Sequence, residues 1–478
     1  MENLKLIQQK RLDSRSHVEK LRGNDKMSNR EMARFEEYHK GQFAALKEAD
    51  TQVYELIAKE YGRLQNSISL QAAENQCSRE VLAALGSVVQ NKTTEGFPGA
   101  RLHGGCEVVD DVETLAISRA RKAFGAQYAN VQPHSGTGAN QIVITAALEA
   151  GDKILGLGSE QGGHFSHGDS VSLTGRFFSI ENYYVGKKTF LLDYDAVRDK
   201  AIKTKPKLII CGASAYVRTI DFKKFRAIAD EVGAYLLADI SHISGLVMAG
   251  AHPSPVEYAH FITTSTYKPG GPRGGLILMG KEYDKNIKVQ GKDMPLWKRI
   301  EDSTFPGVQG TPYLNHIAAK AVFFKEAMSE EYKKRQFNIV KNAKRLAGNL
   351  TNAGYDVLTG GTDNHMVLVN VSNFRDSLSG TAVQKCLEQC GIVVDFYQLP
   401  YDPKTAVGSG IRLGTPIVTG VGMGEEEMDG IFVMIDKMLK GMKMSGQGQC
   451  RIDEKLKNEI RRKVEDLCGR FSSPRNIS

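Results

Sequence analysis

The sequence predicts an α/β fold, a mostly parallel sheet covered by helices on both faces, and three observations carry that prediction. Short apolar runs bounded by glycine or a charge, Lys207-Leu-Ile-Ile-Cys-Gly, Ala234-Tyr-Leu-Leu-Ala-Asp and Gly275-Leu-Ile-Leu-Met-Gly, have the unbroken apolarity of strands buried on both sides. They alternate with stretches of helical period such as Phe222–Val232. Two residues able to do chemistry, Asp239 and Lys268, fall just beyond such strands, where an open α/β sheet binds its ligands.

The elements follow in order. Residues 1–49 read as a charged helical extension with little apolar periodicity, suited to wrapping a partner subunit. Residues 50–320 hold the alternating strands and helices and form the expected large domain. A long helical pattern from Leu314 to Ala353 leads into a smaller α+β domain, residues 321–478, with a strand at His365-Met-Val-Leu-Val-Asn-Val and a polar helical tail. A chain of 478 residues with 41% hydrophobic content can bury cores of that size.

Composition excludes several classes. No apolar run approaches the roughly 18 residues of a membrane span, and the first residues lack a secretion-signal profile. Acidic Glu2, Asp13 and Glu19 also argue against a transit peptide, so the cytoplasm is the expected compartment. The net charge of +8 is spread over mixed signs with no basic tract, which does not indicate nucleic-acid binding but suits anionic small molecules. The seven cysteines show no CxxC or CxxH spacing and no metal is expected; Cys386 and Cys390 read as small buried thiols.

Lys268 lies in Thr263-Thr264-Ser265-Thr266-Tyr267-Lys268-Pro269-Gly270-Gly271, between a threonine-rich strand end and a glycine-rich turn. An amine there suits Schiff-base chemistry with an aldehyde cofactor, for which pyridoxal phosphate is the candidate; the segment also fits a surface turn. Ser135-Gly136-Thr137 offers hydroxyls and N–H groups to a phosphate, and equally reads as a helix cap. Asp239 suits a protonated pyridine nitrogen or a helix N-cap. Arg412 has the paired donors that a substrate carboxylate needs.

Several motifs converge: Asn130-Val-Gln-Pro-His-Ser-Gly-Thr-Gly-Ala-Asn140, Gly162-Gly-His-Phe-Ser-His-Gly168, Ala238-Asp-Ile-Ser-His-Ile-Ser-Gly245, the Lys268 segment, Gly361-Thr-Asp-Asn-His365 and Ser409-Gly-Ile-Arg-Leu-Gly-Thr-Pro416. Together, from about residue 50 to 440, they resemble the serine hydroxymethyltransferase family. The resemblance implies pyridoxal-phosphate fold type I, like aspartate aminotransferase, and a homodimer, or a tetramer, with shared active sites. It implies that Lys268 carries pyridoxal 5'-phosphate, with Ser135, Gly136, Thr137, His164, Ser214, Asp239 and His242 around it. Gly310 and Thr311 would reach the phosphate from the partner subunit. Glu95 would handle protons at the substrate hydroxyl, Arg412 would hold the carboxylate, and Thr93 and His103 would border the substrate.

The chain departs from the family pattern where tyrosines are usual, carrying Thr93, Leu102 and His103. Ala73 stands for a serine, Tyr267 for a histidine and Tyr397 for an asparagine near the folate. The losses fall on the folate side while the cofactor set survives. The expectation is therefore an aldolase or transaldolase working on β-hydroxy-α-amino acids without tetrahydrofolate. The competing expectations are a divergent true serine hydroxymethyltransferase that uses tetrahydrofolate, and a non-catalytic family scaffold.

Overall fold

A computed structural model describes residues 40–289, 292–374, 378–403, 408–445 and 449–471. Most of the expected N-terminal extension, residues 1–39, lies outside the described residues; the first element is a helix at Gln42–Ala49.

Seven strands form the main sheet: β1 (Tyr128–Asn130), β2 (Lys153–Leu157), β3 (Ser179–Tyr183), β4 (Leu208–Cys211), β5 (Tyr235–Asp239), β6 (Phe261–Ser265) and β7 (Gly275–Met279). Their order is β1-β7-β6-β5-β4-β2-β3. β7 runs antiparallel to both β1 and β6, and the other pairings are parallel. Side chains alternate between two buried faces. Ile154, Leu208, Ile210 and Leu237 pack on one side, and Leu155, Ile209, Leu236 and Ala238 on the other. That two-sided burial is why these strands read as unbroken apolar runs.

Helices α1 (Glu107–Phe124), α2 (Gly136–Ala147), α3 (Phe222–Val232) and α4 (Leu314–Ala327) cover the sheet. α3 shows the local logic. Asp221 accepts a hydrogen bond from the Lys224 N–H to cap it, Phe222, Phe225, Ile228 and Ala229 bury one face, and Gly233 ends it at φ 69°. The single helix expected over 314–353 is two. After α4 the chain breaks at Met328–Ser329, and Ser329 caps α5 (Glu330–Asn352) by accepting from the Tyr332 N–H, with Glu330 and Glu331 in the first turn.

The second core surrounds a four-stranded antiparallel sheet of β8 (Asp356–Val357), β9 (Met366–Asn370), β10 (Asp395–Tyr397) and β11 (Gly410–Gly414), in the order β8-β9-β11-β10. α6 (Glu425–Gly441) and α7 (Glu454–Arg470) pack into it. Ile68 and Leu70 also belong to this core, because Ile68–Ser69 pairs with Ile392–Val393. Residue 320 lies inside α4, whose Leu314, Ile317, Phe323 and Phe324 belong to the first core. Cys390 is a free buried thiol, whereas Cys386 is disulfide-bonded, which corrects the reading of both as thiols.

Candidate active site

A cavity of about 200 Å³ opens at the carboxyl ends of β5 and β6. Its lining brings together eight of the residues singled out from sequence: Ser135, Gly136, Thr137, His164, Ser214, Asp239, His242 and Lys268. They come from segments far apart in the chain, and the parallel strands deliver them to one edge.

Lys268 follows β6 by three residues, and its Nζ donates to Ser265 Oγ at 3.1 Å. Asn75 Nδ2 donates to the Lys268 carbonyl and the Tyr332 hydroxyl to the Pro269 carbonyl, at 3.1 and 3.0 Å, so the turn carrying the amine is anchored from two other segments. The Tyr267 ring has Lys268 Nζ 4.7 Å and the Arg273 guanidinium 4.1 Å from its centre. The residue that departs from the family pattern thus has two cations against its aromatic ring.

Asp239 ends β5, buried. One carboxylate oxygen accepts from His167 Nε2 at 2.9 Å and Asn140 Nδ2 at 2.8 Å, and the other from the Ser241 N–H and hydroxyl at 3.0 and 2.6 Å. Burial pushes this carboxyl up, but the His167 hydrogen bond, the nearby His167 and His164 rings and the Asn140 contact together hold it well below the usual range. It stays ionised, aimed into the cavity. His167 and Asn140 stand inside motifs noted from sequence, yet only the fold shows that they grip Asp239.

Ser135 caps α2, accepting from the Gly138 N–H at 2.9 Å. Gly136 keeps this approach open, because a Cβ there would come within 3.2 Å of Ser265 and would have to push it aside. The helix therefore starts with free N–H groups and hydroxyls facing the cavity, a shape that takes an anion. Beneath this turn the buried Lys320 donates to the carbonyls of Val131, Pro133 and Gly275 at 2.6, 3.2 and 2.8 Å. Burial pushes its amine down to about 7. Nothing local in the sequence separates this lysine from those on the surface.

His164 is half-buried, its Nδ1 bonded to Ser166 Oγ at 2.7 Å. Burial first, then the nearby His167, lowers it to about 4, so the ring is neutral at pH 7. His242 is pushed well below the usual histidine value by burial and by the charges of Lys268 and Arg412.

Arg412 lies on β11 just outside the cavity lining, buried. It joins the cavity through Nη1, which donates to the Ser214 carbonyl at 2.6 Å. The remaining expected residues are not in this lining. Thr93 and Leu102 are exposed, and His103 Nε2 sits 3.3 Å from Glu95 Oε2. Gly310 neighbours Glu95, and the Thr311 carbonyl lies 3.2 Å from His134 Nε2.

A family model described as serine hydroxymethyltransferase matches residues 46–435. The chain belongs to the serine hydroxymethyltransferase family. It is 46% identical over 428 residues to a serine hydroxymethyltransferase of Methanosarcina barkeri, a match covering 89% of this chain and 98% of that relative. The chain is thus a pyridoxal-phosphate-dependent transferase of the serine hydroxymethyltransferase family, and the expectation of a non-catalytic scaffold falls away. The residues present fit the family cofactor. An amine, an ionised buried carboxylate and an anion-binding helix start share one cavity, as an aldehyde, a ring nitrogen and a phosphate require.

Proposed function

We propose that this chain is a true serine hydroxymethyltransferase, interconverting serine and glycine with tetrahydrofolate as the one-carbon acceptor. The observation that carries the reading is Lys268 and the ionised Asp239 lining one cavity at the start of α2. The 46% identity across nearly the whole Methanosarcina barkeri serine hydroxymethyltransferase favours this activity over the folate-independent aldolase expected from the substituted positions. Tyr397 also has a use other than the lost folate contact, since its ring lies 5.1 Å from the Arg412 guanidinium.

When bound, pyridoxal phosphate supplies the electron sink that lets the Cα–Cβ bond of a β-hydroxy amino acid break or form. In this reading Lys268 holds its aldehyde carbon and Asp239 keeps a proton on its ring nitrogen. Ser135, Gly136, Thr137 and the start of α2 hold the phosphate, His164 stacks on the ring, Ser214 borders it, and His242 faces its phenolic oxygen. Arg412 orients the substrate carboxylate. Glu95, with Thr93, His103, Gly310 and Thr311, serves the cavity of a partner subunit in a homodimer. The fold-type-I division into a large and a small C-terminal domain and a cytoplasmic location belong to the same proposal.

The test follows serine turnover with and without tetrahydrofolate, beside threonine cleavage. Strong folate dependence of serine turnover is the expected result. Folate-indifferent turnover with ready threonine cleavage would overturn it and restore the aldolase.

A further inference from the structure

Lys268 and His242 also line a second cavity of about 10 Å³, together with His365, Gln336, Asn75 and Gly245 among others. Its volume is that of one water site. Among the described residues ten buried side-chain polar atoms lack a hydrogen-bond partner, and three of them belong to this lining: His242 Nδ1, His365 Nδ1 and Gln336 Nε2. Orphaned polar atoms cost about 1–3 kcal/mol each, so three around one small space call for a shared partner.

Their chemistry defines that partner. His365 Nε2 lies 3.1 Å from the Ala72 carbonyl, which only accepts, so Nε2 carries the hydrogen. Burial first, and then the charge of Arg412, pushes His365 down to about 3, so the ring is neutral and its Nδ1 is an acceptor. The His242 ring lies 5.8 Å from that of His365, inclined by 15°. Gln336 Nε2 is a donor. An acceptor at His365 and a donor at Gln336 around a water-sized space take one hydrogen and one lone pair of a water, whose second hydrogen is left for His242 Nδ1. The room depends on Gly245, where a Cβ would come within 2.7 Å of Gln336 Oε1 and 3.0 Å of the Tyr332 hydroxyl.

We infer that this cavity binds one structural water, accepting from Gln336 Nε2 and donating to His242 Nδ1 and His365 Nδ1, and that the water sets the tautomer of His242. His242 lines both cavities. With Nδ1 accepting from the water, its hydrogen resides on Nε2, and the ring presents a donor to an oxygen acceptor in the large cavity. This consequence rests on the proposed function; the water site does not. Gln336 and His365 are then positioning residues, acting through His242.

The test is a high-resolution crystal structure of the holoenzyme, with ¹⁵N NMR of histidine-labelled protein. A single water within hydrogen-bonding distance of all three atoms, and His242 as one Nε2–H tautomer, is the expected result. In Gln336→Leu the water should be lost and the His242 signal should split between tautomers while His164 is unchanged, a response that a merely structural role would not give. A dry cavity in the wild type, or direct pairing of Gln336 with either imidazole, would overturn the site, and that reading needs no variant to fold. An unchanged His242 tautomer in Gln336→Leu would overturn the positioning role. Failure of pyridoxal phosphate to load onto Lys268 is scored separately by absorbance, and would strike the functional reading alone.

Discussion

Arg412 is gripped by Asp395 across adjacent strands: Nε and Nη2 donate to one carboxylate oxygen at 3.2 and 2.7 Å. With Nη1 on the Ser214 carbonyl, three of the five guanidinium N–H groups are engaged, which leaves two for a ligand. The fork is therefore held in place before any substrate arrives, and its charge is partly answered. Arg412→Lys should weaken glycine binding by about tenfold to a hundredfold, the worth of a charge-assisted pair of about 1.5–3 kcal/mol, with cofactor content unchanged. Asp395→Asn leaves a buried cation less well paired, so its melting temperature should drop. Glycine should then raise that temperature more than it does in the wild type. Calorimetry with and without glycine reads both, and equal glycine effects in the two proteins would count against the role given to Arg412.

Lys268 should carry the cofactor. Borohydride reduction of the holoenzyme and peptide mapping are expected to place the pyridoxyl group on Lys268, and Lys268→Ala should yield no adduct. Asp239→Ala should lose cofactor affinity while keeping the fold, because a carboxylate with four hydrogen bonds would be gone from the cavity wall. An adduct on another lysine refutes the assignment.

The position of Glu95 outside the cavity lining of its own chain predicts complementation between subunits. Lys268→Ala and Glu95→Gln chains, each inactive alone, should regain activity when mixed, to about a quarter of the wild-type level if subunits pair at random. Hybrid dimers confirmed by mass spectrometry without any activity would show that each site is built within one chain.

Acid should unfold the protein through its buried imidazoles. His164 and His365 are held at about 4 and about 3, burial being the main cause in each, against an ordinary value of 6.5. Below pH 6.5 the unfolded chain takes up protons on these rings while the folded chain does not. Their contribution is therefore complete above pH 6.5 and is lost as pH falls toward about 4 for His164 and about 3 for His365. Melting temperature should be flat at neutral pH and fall on that acid limb, less steeply in His365→Gln. An unchanged slope in that variant would exclude His365 as a source.

The central strands and α3 could be read directly, because two-sided burial writes itself as unbroken apolar runs and one-sided burial as a helical stripe. That Lys268, Asp239 and Ser135 come to one cavity was legible too, since each stands within a long motif. The helix break before Ser329 was not, because the apolar period continues across it and only the cap decides it.

Tertiary structure alone decided the partners. His167 and Asn140 hold Asp239, Lys320 staples the turn before α2, Asp395 holds Arg412, and Gln336 shares a small cavity with His242, His365 and Lys268. Each of these is an ordinary polar residue until the fold buries it. A buried polar group must find a partner in space, and in these pairs that partner stands from 17 to 189 residues away, where no local pattern in the sequence records it.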